Sequence, residues 1–272
     1  MQAEDKIIVA IDTNDLDRAC ELVEKLKPYV GGFKFGLEFG QSLLKQMLVL
    51  KSIDARHNLE LFRELFRLAQ GKIFWDGKFN DIPNTVGGAS RETAEIGVKF
   101  FTIHASSGIE AIKKAVYNKG NGKLLIVTVL TSLDFVELWN VGFGRCVNPN
   151  CQKYYTMKWQ DKYVEDLVEI MTMKSKAHGV DGIVCSPQEL QMLGKYKQLL
   201  SFLKITPSIR PEWATANDQK RIMTPGGAIK YGADYLVIGR PITSPPKEIG
   251  TPVQAVQLII EEIKKALEDK DA

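Results

Sequence analysis

Short runs of apolar and β-branched residues recur along the chain, and stretches of helical periodicity separate them. The runs are IIVAID (7–12), FKFGLE (33–38), IFWDGK (73–78), FFTIHA (100–105), LLIVTVLT (124–131), GIVCS (182–186), LKITPSI (203–209) and YLVIGRP (235–241). They are continuous rather than strictly alternating, which suits strands buried on both faces, as in a parallel sheet. The segments between them place apolar residues at helical spacing, most clearly LDRACELVEKLKPYV after the first run and VQAVQLIIEEIKKAL after the last. Eight strands alternating with helices in 272 residues is the pattern of a (β/α)8 TIM barrel, and a doubly wound open sheet is the alternative with the same alternation.

No low-complexity stretch and no Pro/Gly linker divides the chain, so residues 1–272 read as a single domain. Residues 140–157, NVGFGRCVNPNCQKYYTM, read as an insertion in the loop and helix after the fifth strand. A second long stretch, 43–71, carries the helix NLELFRELFRLAQ with an extra segment before it.

Charge narrows the choice of partner. Lys plus Arg is 36 against 33 for Asp plus Glu, a net charge of +3, and the charges are spread rather than blocked. Neither nucleic acid nor an anionic membrane is called for, and any anion binding has to be local. The longest apolar run, LLIVTVL at 124–130, is far too short to span a bilayer. The polar start MQAED leads straight into a strand with no signal-peptide architecture, and the four cysteines, Cys20, Cys146, Cys151 and Cys185, are too sparse for a disulfide scaffold. Both point to a cytoplasmic protein. Cys146 and Cys151 have the spacing of half a zinc site, but no second Cys/His pair follows closely, so a structural loop is expected and no metal.

In a barrel, active groups sit at the C-terminal ends of the strands. Those ends carry Asp12, Asp76-Gly77-Lys78, His104, Thr131, Arg210 and Gly239-Arg240 in chain order, and the second strand contains Lys34. Charged groups at the ends of buried strands are costly unless paired or used. Asp76 and Lys78 are two apart, so an ideal strand turns both to one face, and Lys34 on the adjoining strand can join them. Such an array can supply a proton, repel a carboxylate and stabilise an anion. It can also be an ion-pair network that only fixes loops. At the other end of the chain, Gly239 allows close backbone approach to a ligand and Arg240 offers a fork matched to phosphate, at the place where barrels often bind one. Read without that location, Arg210 and Arg240 are ordinary surface arginines. His104 reads as a packed or hydrogen-bonded residue.

The motif DGKFNDIPNTV at 76–86 resembles that of the orotidine 5'-phosphate decarboxylase family in its common bacterial form. Supporting blocks follow in family order: FKFGLEFG, HASSG, TVLTS, DGIVCS, TPSIRP, DQKRIMTP and GADYLVIGRPIT. The resemblance spans almost the whole chain. It implies a cofactor-free barrel enzyme that converts orotidine 5'-phosphate to UMP and carbon dioxide, working as a homodimer with shared active sites. It implies Lys78 as the acid that protonates C6, with Lys34, Asp76 and Asp81 completing a charged tetrad and Asp81 supplied by the partner subunit. Asp12 and Lys34 would hold the ribose hydroxyls, Thr85 would reach them from across the dimer, and Thr131 would lie at the pyrimidine. Arg210, Gln219, Gly239 and Arg240 would hold the 5'-phosphate, with 208–219 closing over it.

The chain departs from the family pattern in places. Ser208 stands where glycine is usual, Asn80 where His is common, and Gly77 where a bulkier residue is common; HASSG varies from HASGG. Two other readings compete. Magnesium-dependent sugar-phosphate decarboxylases and hexulose-phosphate synthases share D-x-K-x-x-D but lack the DIPNTV and TVLTS blocks. A non-catalytic nucleotide-binding barrel would be expected to have lost a member of the tetrad, and all four are present.

Overall fold

The computed structural model describes residues 1–49, 52–143, 157–214 and 222–271. Eight parallel strands close into a barrel in sequence order: β1 (Ile7–Ala10), β2 (Gly32–Gly36), β3 (Ile73–Phe79), β4 (Phe100–His104), β5 (Lys123–Val127), β6 (Gly182–Val184), β7 (Leu203–Thr206) and β8 (Tyr235–Ile238). The closure is β1 against β8, with Ile8 opposite Val237. This settles the choice between barrel and open sheet. Strand positions match the sequence runs; β3 extends one residue past its run, to Phe79, and the other strands end short of theirs. The helix after β2 starts at Leu37, and β5 stops at Val127 although apolar residues continue to Leu130. Apolarity marks burial, and burial continues beyond the last ladder hydrogen bond.

The helices are α1 (Leu16–Leu26), α2 (Leu37–Val49), α3 (Ser52–Leu68), α4 (Pro83–Glu95), α5 (Ile109–Asn118), α6 (Phe135–Asn140), α7 (Met157–Ala177), α8 (Pro187–Leu193), α9 (Pro225–Lys230), α10 (Arg240–Thr243) and α11 (Pro252–Asp271). Each forms for local reasons. In α1 the residues Leu16, Ala19, Leu22, Val23 and Leu26 are buried on one face, and Asp15 caps the start by accepting the Arg18 N–H at 3.0 Å. Pro83 opens α4, where its missing N–H costs nothing. Asp134 and Glu137 close a reciprocal capping box at the start of α6. The extra segment expected before the helix at 58–70 is helical as well, as α2 and the first turns of α3. The insertion expected at 140–157 lies mostly outside the described residues, and so do Cys146 and Cys151.

Two apolar cores result. The larger lies between strands and helices and takes the outward residues, such as Phe33, Phe35, Phe101 and Ile103. The smaller fills the barrel: Ile8, Ala10, Phe74, Phe100, Leu125, Ile205, Tyr235 and Val237. Alternation from these inward residues turns Asp76, Thr102, His104 and Gly239 toward the C-terminal mouth, directly above an apolar plug. Polar groups collected there face a dry floor on one side and solvent on the other.

Candidate active site

The array at the mouth is built by β1, β2, β3 and β4. Lys78 Nζ lies 2.6 Å from Asp76 Oδ2, and Lys34 Nζ lies 3.8 Å from the same oxygen and 3.3 Å from Asp12 Oδ1. Two ammonium groups and two carboxylates therefore alternate in one cluster. Asp76 is buried, Lys34 and Lys78 are partly buried and Asp12 is exposed. Opposite charges at this spacing interact far more strongly beside a low-dielectric floor than on an open surface.

Asp76 and Lys78 meet by a route the sequence spacing does not describe. Regular pairing would turn both to one face of a flat strand. Instead β3 bulges: the four steps from Trp75 to Phe79 lie opposite only two on β4, Phe101 to Ile103. Lys78 takes φ +47°, in the left-handed region that costs a side-chain-bearing residue about 1–2 kcal/mol. Gly77 makes room for this turn. A Cβ there would lie 2.8 Å from both Phe79 Cε1 and Trp75 Nε1, so the bulkier residue common at this position would require those rings to move. The residue opposite the bulge is Thr102. Its hydroxyl donates to Asp76 Oδ1 at 3.0 Å and accepts the Lys78 backbone N–H at 2.9 Å.

His104, two residues on from Thr102, is half-buried at the same mouth. Burial pushes its pKa down, the Lys78 ammonium pushes the same way, and Asp76 opposes them. The balance favours the neutral imidazole over the charged one.

Asp81 is placed differently. It follows β3 on an exposed loop, its Oδ1 accepts the Ile82 N–H at 2.6 Å, and it makes no ion pair among the described residues. Thr85 is exposed on the first turn of α4. Ile82 between them is 66% exposed, a large apolar side chain facing solvent beside the array. Thr131 is half-buried in the loop after β5.

At the β1 edge of the array, the β1–β8 pairing sets Gly239 beside Asp12: a Cβ on Gly239 would lie 3.8 Å from Asp12 Oδ2. Arg240 is exposed at the first position of α10. Arg210 is no surface arginine. It is 5% exposed, its Nη1 donates to Ile209 O at 3.4 Å and its backbone N–H to Met223 O at 2.9 Å. Gln219 lies outside the described residues.

Ser208, where glycine is usual, adopts φ +63° and is buried. Its carbonyl accepts the Met223 N–H at 3.4 Å, and an isolated bridge pairs Ile209 with Met223, so neighbouring contacts hold the strained residue in place. Ser208→Gly is expected to stabilise the protein by about 0.5–1 kcal/mol, since relief of left-handed strain exceeds the entropy glycine adds to the unfolded chain. Urea unfolding would measure it. A destabilised variant would mean that the serine hydroxyl contributes more than the strain costs.

The fold and the mouth together define a class: a (β/α)8 barrel with an alternating lysine–aspartate array at the C-terminal ends of its first strands. The comparisons narrow that class. Residues 5–254 match the model of the "Orotidine 5'-phosphate decarboxylase / HUMPS family", and the chain belongs to that family. A curated relative from Geotalea uraniireducens (strain Rf4), named orotidine 5'-phosphate decarboxylase, is 38% identical over 269 residues, 96% of each chain. One of the same name from Nostoc sp. (strain PCC 7120) is 39% identical over 253 residues, 89% of this chain and 92% of its own. Among solved structures, the crystal structure of orotidine 5'-phosphate decarboxylase from Lactobacillus acidophilus superposes with a TM-score of 0.66 at 28% identity, covering 94% of this chain and 98% of the other.

Of the expected site residues, the structure brings Lys34, Asp76, Lys78, Asp12 and Gly239 to one mouth. Asp81 and Thr85 stay outside the array within one chain. The sequence reading missed Thr102, and one signal for it existed: a lone hydroxyl in the apolar run FFTIH, inward-facing and two residues before His104.

Proposed function

We propose that this chain decarboxylates orotidine 5'-phosphate to UMP and carbon dioxide, the last step of UMP formation, as a cytoplasmic homodimer without metal or organic cofactor. Relatives of this name align over nearly its full length. The observation that carries the chemical reading is the Lys78 ammonium held 2.6 Å from Asp76 above an apolar floor.

In that reading the bond from C6 to the carboxylate carbon breaks and its electron pair stays on C6. Carbon dioxide leaves, and Lys78 transfers a proton to C6. Neutral Lys78 then regains a proton from solvent. No conjugated sink takes up the charge, so a pre-placed ammonium is what lowers the barrier, and it does so best in a dry site. Asp76 would lie near the departing carboxylate. Its negative charge disfavours the bound carboxylate relative to the transition state, in which that charge has moved toward Lys78. Asp12 and Lys34 would hold the ribose hydroxyls, and Thr131 would contact the pyrimidine. Arg210, Gln219, Gly239 and Arg240 would hold the phosphate. Asp81 and Thr85 would enter the partner's site, a role that suits their exposure and the solvent-facing Ile82 between them.

The direct test follows loss of orotidine 5'-phosphate absorbance with purified protein, with and without a chelator. Turnover unaffected by chelation is expected. No loss of orotidine 5'-phosphate, together with magnesium-dependent turnover of a sugar phosphate that a chelator abolishes, would favour the sugar-phosphate branch of the family. A second test addresses remote binding energy. Arg240→Ala should lower kcat/KM by about 2–4 kcal/mol, the scale of a lost charge-assisted phosphate contact, and the loss should almost vanish on orotidine, which lacks the phosphate. Equal losses on both substrates would put Arg240 outside the phosphate site.

A further inference from the structure

We propose that Thr102 is a positioning residue for decarboxylation, the group that sets both the orientation of the Asp76 carboxylate and the backbone of Lys78. The inference rests on the decarboxylase reading above and on the geometry opposite the β3 bulge.

A threonine hydroxyl has one proton to donate and lone pairs to accept with. Here the proton goes to Asp76 Oδ1 at 3.0 Å, and a lone pair takes the Lys78 N–H at 2.9 Å. Thr102 is fully buried, so no solvent competes for either bond. The first bond divides the work of the carboxylate. Oδ1 is tied down into the barrel, and Oδ2 is left for the two ammonium groups, at 2.6 Å for Lys78 and 3.8 Å for Lys34. Rotation of the carboxylate about its Cβ–Cγ bond would break the Thr102 bond and carry Oδ2 away from Lys78.

The second bond answers for the bulge. Lys78 at φ +47° lies between the last regular pair, Trp75 with Phe101, and the resumed pair, Phe79 with Ile103. Its N–H bonds a side chain instead of a strand neighbour, and a buried N–H left unmade costs about 1–3 kcal/mol. One hydroxyl thus fixes the start of the lysine side chain and the anion at its tip. Small displacements matter to a group that must meet one carbon atom, since misplacement by about 1 Å can cost a factor of about a hundred. Of the groups assigned to the phosphate, Arg210 follows β7 and Gly239 and Arg240 follow β8, the strand across the barrel from β4, so substrate binding should be nearly indifferent to Thr102.

The experiment compares the native protein with Thr102→Val, which keeps the shape and loses the hydroxyl, Thr102→Ser, which keeps the hydroxyl, and Thr102→Cys, which keeps only a weak donor. The Val variant is expected to lose roughly 30–1,000-fold in kcat with KM and UMP affinity within about threefold of native. Ser should recover kcat to within about fivefold of native, with Cys between Ser and Val. A folded Val variant keeping more than half the native kcat overturns the proposal, and so does a loss that appears in KM alone. Should the Val variant not fold, a Cys variant as fast as native overturns it instead. Crystal structures of the same variants separate this idea from the decarboxylase reading. If the native protein turns over no orotidine 5'-phosphate, the functional reading fails on its own. The positioning role is then judged by whether the Lys78–Asp76 contact lengthens and the carboxylate turns in the Val or Cys variant; an unchanged contact overturns it.

Discussion

Lys78→Ala is expected to abolish turnover, by about 10³-fold or more, while leaving UMP affinity close to native. A positioned general acid contributes about 10²–10⁴-fold, and the same ammonium is asked to stabilise the developing charge at C6 as well. No neighbour can stand in for it. Lys34 Nζ is 3.8 Å from the Asp76 oxygen that Lys78 approaches to 2.6 Å, and it also contacts Asp12 at 3.3 Å, which draws it toward β1. Arg210, Gly239 and Arg240, which follow β7 and β8, are untouched by the substitution, so product binding should survive. Asp76 keeps Lys34 and the Thr102 hydroxyl as partners after the change, which argues against wholesale unfolding. Single-turnover rates and UMP titration on the same preparation would measure both halves. A variant retaining a tenth of the native rate constant would remove Lys78 from the role of proton donor, whatever its effect on affinity.

The contrast between Lys78 and Thr102 shows what was legible in the chain and what was not. The strand–helix alternation could be read because the strands are short, largely apolar runs with helical spacing between them, whereas closure into a barrel rather than an open sheet came from the pairing of β1 with β8. The array could be read because Asp12, Asp76 and Lys78 are charges at the ends of buried strands, where charge needs a reason. Their contact could not be derived correctly. The spacing of Asp76 and Lys78 points to a flat strand with both side chains on one face, and the strand is in fact bulged with Lys78 left-handed. One non-local contact supports that geometry, Thr102 on β4 taking the freed N–H, while Trp75 and Phe79 flank Gly77 on the same strand. Gly77 was visible as a departure from the family pattern, but the left-handed turn that follows it at Lys78 was not. Ser208 is a similar case. Its substitution for glycine could be read from the chain, whereas its φ of +63° could not, because nothing local to TPSIRP demands it. Arg210 shows the reverse difficulty: an arginine in a loop looks exposed in a sequence, and in the structure it is 5% exposed.

Asp81 offers the sharpest test of the proposed dimer. It lies three residues past Lys78, yet its side chain caps the Ile82 N–H on an exposed loop instead of joining the array in its own chain. A closed two-fold dimer gives each subunit's patch to the other, so this loop can complete the partner's site. Lys78→Ala and Asp81→Ala should each be nearly inactive alone. Mixed under conditions that let subunits exchange, they form dimers in which one site carries both lesions and the other carries neither. Random exchange puts about half the molecules in mixed dimers, each with one intact site of two, so activity should return to roughly a quarter of native. Exchange itself is checked separately, by mass spectrometry of dimers in which one variant bears an isotope label. The quarter is diagnostic because a site built within one chain predicts no recovery at all: every subunit in the mixture then carries one lesion in its own site. Verified exchange without returning activity would place Lys78 and Asp81 in the same site of the same chain, and the exposed loop bearing Asp81 and Ile82 would need another partner.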